Sequence, residues 1–116
     1  MTKPVGPYTP IVRAGDFLIC SGQVGQRDGK IVGGGVTAQT AAAIENIATL
    51  LAQHGAALTD VAKTMCFLVD MGEFATFNEA YISGFGDHRP ARTTIGVAAL
   101  PIGASVEIEA WALKPA

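Results

Sequence analysis

Arg92-Thr93-Thr94-Ile95-Gly96-Val97-Ala98-Ala99-Leu100 runs into a turn at Pro101-Ile102-Gly103 and out again as Ser105-Val106-Glu107-Ile108-Glu109-Ala110-Trp111-Ala112-Leu113. Side chains alternate between the two faces of a strand. In the second run Val106, Ile108, Ala110 and Ala112 share a face that a helix layer can cover, and Ser105, Glu107, Glu109 and Trp111 share the other. In the first run Arg92, Thr94, Gly96 and Ala98 fall on one face and Thr93, Ile95, Val97 and Ala99 on the opposite one. The pair reads as two adjacent strands closed by a tight turn. If Ala99 pairs with Ala104, Thr94 faces Glu109 and Arg92 faces Trp111. Arg92 and Glu109 are then diagonal neighbours about 7–8 Å apart at Cβ, and a one-residue slip would put them on opposite faces. This register gathers the apolar β-branched residues on one face and leaves an arginine and one or two glutamates on the other. Patterning alone leaves open a solvated face, ion pairs across an oligomer interface, or a site.

Working upstream, Phe74, Phe77, Tyr81 and Phe85 recur at i, i+3, i+7 and i+11, which predicts a helix from about Glu73 to Phe85. Val61 to Val69 reads as a buried strand. Ile44, Ile47, Leu51 and His54 recur at helical spacing between a Thr37 N-cap and a Gly55 at C′, predicting a helix from Thr37 to His54. Ile11 to Val24 reads as two strands around Ala14-Gly15-Asp16, with a hairpin tip following at Arg27-Asp28-Gly29-Lys30. The order is β-β-α-β-α-β-β, a single α+β domain over residues 1–116. Two helices cover one sheet face. The other face has no cover within the chain, which points to oligomerisation through the sheet.

Composition points the same way. Hydrophobic residues make up 49% of the 116 and charged residues only 16%, against about a quarter charged in ordinary soluble domains. A small domain buries a smaller fraction of its surface, so this much apolar side chain must be exposed or covered by a partner. With 8 Lys+Arg against 10 Asp+Glu, a net charge of −2 and no basic cluster, nucleic acid is not an expected partner. No apolar run reaches the roughly 18–20 residues of a membrane helix, and Met1-Thr2-Lys3-Pro4 opens no signal-peptide apolar stretch. Cys20 and Cys66 each sit inside an apolar run and read as buried thiols, so a reducing, cytoplasmic compartment is expected.

Pro90-Ala91-Arg92-Thr93-Thr94-Ile95-Gly96-Val97-Ala98-Ala99-Leu100-Pro101 resembles the signature of the RidA (YjgF) family. Val106-Glu107-Ile108-Glu109-Ala110 is similar to that family's last strand, and Gly6-Pro7-Tyr8, Cys20-Ser21-Gly22-Gln23 and Phe74-Ala75-Thr76-Phe77-Asn78 match its other blocks in order. The resemblance covers nearly the whole chain. It implies a chorismate-mutase-like fold with a mixed sheet and two helices on one face. Three copies would pack their sheets into a central barrel, with sites in the clefts between them. The implied activity is hydrolytic deamination of reactive 2-imino acids, 2-iminopropanoate and 2-iminobutanoate and their enamine tautomers, to 2-oxo acids and ammonia. Arg92 matches the family's carboxylate-binding arginine, and Glu109 is matched to its water-activating glutamate. Tyr8, Ser21 and Asn78 align with pocket residues. Thr94 stands where many members carry cysteine, and Trp111 stands where a smaller aliphatic is common. No metal or cofactor is expected, because an iminium is already an electrophile.

The remaining features read as ordinary structure. His54 and His88 are not at metal-ligand spacing with the cysteines. Gly33-Gly34-Gly35 lacks the further residues of a phosphate loop. Ser21 has no histidine or aspartate that sequence can place beside it. Glu107 faces the same way as Glu109 and is set aside as an interface residue. A second reading, from a different class, is a non-catalytic trimer that binds small carboxylates or acts as a chaperone-like stress protein.

Overall fold

Alternating apolar residues at 11–24 fold back on themselves because Gly15, with φ 60°, supplies a left-handed turn that a side chain would resist. The computed structural model describes Pro4 and residues 6–116. The resulting hairpin pairs β1 (Ile11–Ala14) with β2 (Phe17–Val24), Ile11 against Cys20 and Ala14 against Phe17. A second, short hairpin joins β3 (Gln26–Arg27) to β4 (Lys30–Ile31) through Asp28 and Gly29, both at positive φ, the geometry that Asp-Gly turns favour. Helix α1 spans Gly35–Ala52 and α2 spans Phe74–Phe85, with β5 (Val61–Leu68) between them. Helix α1 begins two residues before Thr37, with Gly34 at its N-cap position. The last residue of its predicted stripe, His54, lies exposed beyond the end, whereas Gly55 takes the left-handed conformation expected of it, φ 71°. Strands β6 (Ala91–Gly96) and β7 (Val106–Leu113) complete the chain.

The five long strands form one mixed sheet in the order β1-β2-β7-β5-β6. Only β5 and β6 are parallel, because α2 carries the chain back over the sheet between them. This corrects the expected β6–β7 hairpin. Strand β7 inserts between β2 and β5, antiparallel to both. The link at 97–105 does turn tightly at Pro101–Gly103, where Ala104 N–H donates to Pro101 O at 3.1 Å, but it carries the chain past the end of β5 and closes no hairpin. Val97 N–H donates to Leu68 O at 2.9 Å, and Val69 N–H donates to Ser105 O at 3.1 Å.

The helices cover one face only. Beneath them lie Leu18, Cys20, Val61, Cys66, Leu68, Val106, Ile108, Ala110 and Ala112, packed against Ile44, Ile47, Leu51, Phe77, Tyr81 and Phe85. Full burial contributes about 1.5–3 kcal/mol for each large apolar side chain. Phe74, read from the helical stripe as core, is 37% exposed. The helices approach closely because Gly84 is bare: a Cβ there would sit 2.5 Å from Ile44 Cδ1. On the opposite face Val12, Phe17, Ile95, Trp111 and Leu113 are exposed. No helix among the described residues is long and apolar enough to cross a membrane.

Candidate functional site

Arg92 is in register with Thr64 of β5, and Thr64 is fully buried under the helices. Residues side by side in a sheet share a face. Arg92 therefore points toward α2, not to the open face where the sequence reading put it. Its guanidinium carbon lies 4.9 Å from the ring centre of Tyr81, 5.5 Å from that of Phe77 and 5.6 Å from that of Phe74. The Tyr81 hydroxyl is fixed by Thr64 Oγ1 at 2.7 Å. Cation–π attraction holds the guanidinium without consuming its N–H donors. Among the described residues it has no carboxylate partner. Around it opens a cavity of about 260 Å³ lined by Asn78, Tyr81, Ile82, Arg89, Pro90 and Arg92. Asn78 Oδ1 is buried here and has no hydrogen-bond partner among the described residues, a costly state unless a ligand supplies one.

A second cavity, about 270 Å³, lies at the other end of the sheet and is lined by Tyr8, Pro10, Ser21, Gly22, Gln23 and Glu107 among others. The register of β2 against β7 slips between Cys20 and Gln23, leaving Ser21 and Gly22 as a bulge. Ser21 anchors the preceding segment twice. Its N–H donates to Pro10 O at 2.8 Å, and its hydroxyl donates to Thr9 O at 2.7 Å. Gly22 gives the Glu107 carboxylate its place, since a Cβ on Gly22 would meet Glu107 Oε2 at 2.6 Å. Burial raises the Glu107 carboxyl above its ordinary range, and the neighbouring Glu109 charge raises it further. Such a group holds a proton more readily than an exposed glutamate, which suits proton transfer.

Glu109 stands elsewhere. Its Oε2 accepts a hydrogen bond from Trp111 Nε1 at 3.0 Å, and it lines a shallow apolar hollow with Phe17, Ala62, Lys63, Met65 and Trp111. The expected Arg92–Glu109 pairing on one face is thus corrected: β5 lies between their strands, and the two side chains leave the sheet on opposite sides. The structure groups Tyr8 and Ser21 with Glu107, the glutamate that the sequence reading set aside. It groups Asn78 with Arg92, and Thr94 lies two residues along β6 on the same face. Alternation could not separate Glu107 from Glu109, because both have the same phase. The bulge opposite them decides, and it becomes visible only once β2 is known to pair with β7.

Neither cysteine offers a thiolate. Burial pushes the Cys20 thiol up to about 12 and raises Cys66 as well. Among the described residues no group of three His, Cys, Asp or Glu side chains could hold a metal ion.

Residues 1–114 match the family described as endoribonuclease L-PSP. A RutC family protein of Pyrococcus horikoshii is 42% identical over 114 residues, covering 97% of this chain and 90% of that protein. The mouse 2-iminobutanoate/2-iminopropanoate deaminase is 40% identical over 112 residues, covering 95% of this chain and 83% of that one. Among solved structures, RidA from the Antarctic bacterium Psychrobacter sp. PAMC 21119 superposes with a TM-score of 0.91 at 34% identity, over 96% of this chain and 91% of the other.

Proposed function

We propose, for a chain that belongs to the endoribonuclease L-PSP (RidA/YjgF) family, the hydrolysis of reactive 2-imino acids to 2-oxo acids and ammonia. The observation that carries this reading is the Arg92 guanidinium, seated on three aromatic rings with its N–H groups unspent. A carboxylate presents two oxygens to such a fork and satisfies two donors at once. The substrate carboxylate lies adjacent to the imine carbon, so this grip also aims the imine. Asn78 Oδ1 offers an acceptor to the iminium N–H. Water adds to the imine carbon and its proton passes to Glu107, which then returns a proton to the departing nitrogen. One water is consumed, and as the C–N bond breaks the adduct's hydroxyl gives its proton to Glu107, so that the 2-oxo carbonyl forms and ammonia leaves. The 2-iminopropanoate and 2-iminobutanoate named for the mouse relative are the first substrates to try.

Arg92 and Glu107 line cavities that share no residue, on opposite faces of the sheet. A substrate touching both must bridge two copies. We read the protein as a homotrimer whose open sheet faces close into a barrel, with the Arg92 half of each copy meeting the Glu107 half of the next. Two buried, unpaired thiols are consistent with a cytoplasmic setting. A net charge of −2 fits a small anionic substrate better than RNA, despite the family's description. The test is release of 2-oxo acid and ammonia from imino acids generated in situ by an amino-acid oxidase. Acceleration over the spontaneous rate is expected, and its absence with every side chain tried would refute the reading. A trimer that only binds carboxylates would retain 2-oxo acid binding and show no acceleration.

A further inference from the structure

We propose that the Arg92 half of the site holds a second anion through Arg89, so that the preferred substrate is a 2-imino dicarboxylic acid and not one with an apolar side chain. This rests on the imine-hydrolase reading above. The cavity beside α2 is lined by two guanidiniums and by no carboxylate. Each cation is held from behind, leaving its outer N–H groups for a ligand. Arg92 lies on ring faces. Arg89 donates from Nη1 to the carbonyl oxygens of Gly86 and His88, just past the end of α2, where the helix dipole favours a cation. Tyr81 lines the same cavity as both. Neither has an acidic partner among the described residues.

Two like charges facing one cavity repel, and the repulsion grows when a covering copy removes water. A single carboxylate engaged by the more buried Arg92 answers one of them. Arg89 is exposed at the rim, three residues before Arg92 and outside the strand. It is therefore placed to meet the far end of a substrate whose near end Arg92 holds. A carboxylate at that far end completes the charge balance, whereas a methyl group would leave Arg89 facing apolar surface. The chemistry singles out a side chain that ends in a carboxylate.

The experiment compares 2-oxoglutarate with 2-oxopentanoate, which have the same carbon count and differ in the far carboxylate. Binding is measured by calorimetry on the wild-type oligomer and on Arg89→Met, and kcat/KM is measured for the corresponding imines. The dicarboxylate is expected to bind about 10-fold or more tightly, with the same preference in kcat/KM, and Arg89→Met should bring both ratios close to one. Equal binding of the two acids by wild type overturns the proposal. So does an Arg89→Met variant that weakens both ligands alike, since both guanidiniums then serve one carboxylate. If the dicarboxylate preference and its loss in Arg89→Met hold while no imine is hydrolysed, the two-anion site stands and the reaction assignment falls.

Discussion

Glu107 and Glu109 are two residues apart on one strand face, yet their surroundings differ. Glu107 is folded over bare Gly22 beside Tyr8 and Ser21, and Glu109 is tied to the Trp111 indole. Glu107→Gln should lower kcat by about 10²–10⁴-fold, the usual range for a general base. Glu109→Gln should leave turnover per intact oligomer within about threefold, because general-base losses are far larger than that. The pH profile separates them further. In the proposed reaction the active form of Glu107 is the carboxylate, so activity should rise with pH along a limb lying above the ordinary glutamate range, and Glu107→Gln should abolish that limb. Stability runs the other way. With its folded pKa raised, Glu107 binds a proton more tightly in the native state than in the unfolded chain. Its contribution is fully present below the unfolded pKa and is lost as pH rises through the folded one. Glu107→Gln should therefore melt no lower than the parent at neutral pH. Arg92→Lys keeps the charge but offers neither the planar fork nor the flat face that stacks on Tyr81. It should cost about 10-fold or more in kcat/KM, with oligomer mass unchanged, since charge-assisted bonds are the strong ones. Fully retained kcat/KM in that variant would remove Arg92 from the site.

At the scale of elements, the strand and helix inventory was legible because each piece carries its own period. Val61–Leu68 is a compact apolar run, Phe77, Tyr81 and Phe85 mark one helix face, and Val106–Leu113 alternates cleanly. What the sequence hid was adjacency. A Pro-Ile-Gly turn between two strands favours reading a hairpin, since consecutive strands usually pair. The β5-α2-β6 crossover instead sends β6 to the far edge and lets β7 fill the gap beside β5. The Arg92–Glu109 diagonal inferred from the hairpin failed with it. The β2 bulge is the element that most directly sets the second cavity. Gly22→Ala puts a methyl into the Glu107 carboxylate, at 2.6 Å from Oε2 in the present geometry. The flexible glutamate should swing away, so the variant should fold and assemble, keep 2-oxo acid binding at Arg92 and lose most of its turnover. Calorimetry and the deaminase assay on one preparation check both halves of that expectation, and parental turnover would contradict it.

For the whole molecule, the one-sided helix layer leaves an apolar sheet face that water covers poorly. Phe17 and Trp111 meet edge-on there at 6.0 Å, and Val12, Ile95 and Leu113 are exposed on the same face. An interface on this face should be obligate, with folding coupled to assembly, so dilution should not release a folded monomer. In the proposed reaction the same assembly brings Arg92 of one copy to Glu107 of another, because within one chain they sit on opposite faces. Mixing tests this directly. Arg92→Ala and Glu107→Gln are each expected to be nearly inactive alone. Co-refolded or co-expressed at equal amounts, they should regain activity, with about a quarter of the sites drawing both native residues from different copies of a randomly mixed ring. Recovery of roughly that fraction of wild-type turnover is the predicted result. Mixed oligomers verified by mass, with no activity above the separate variants, would show that the two residues do not meet across a subunit boundary.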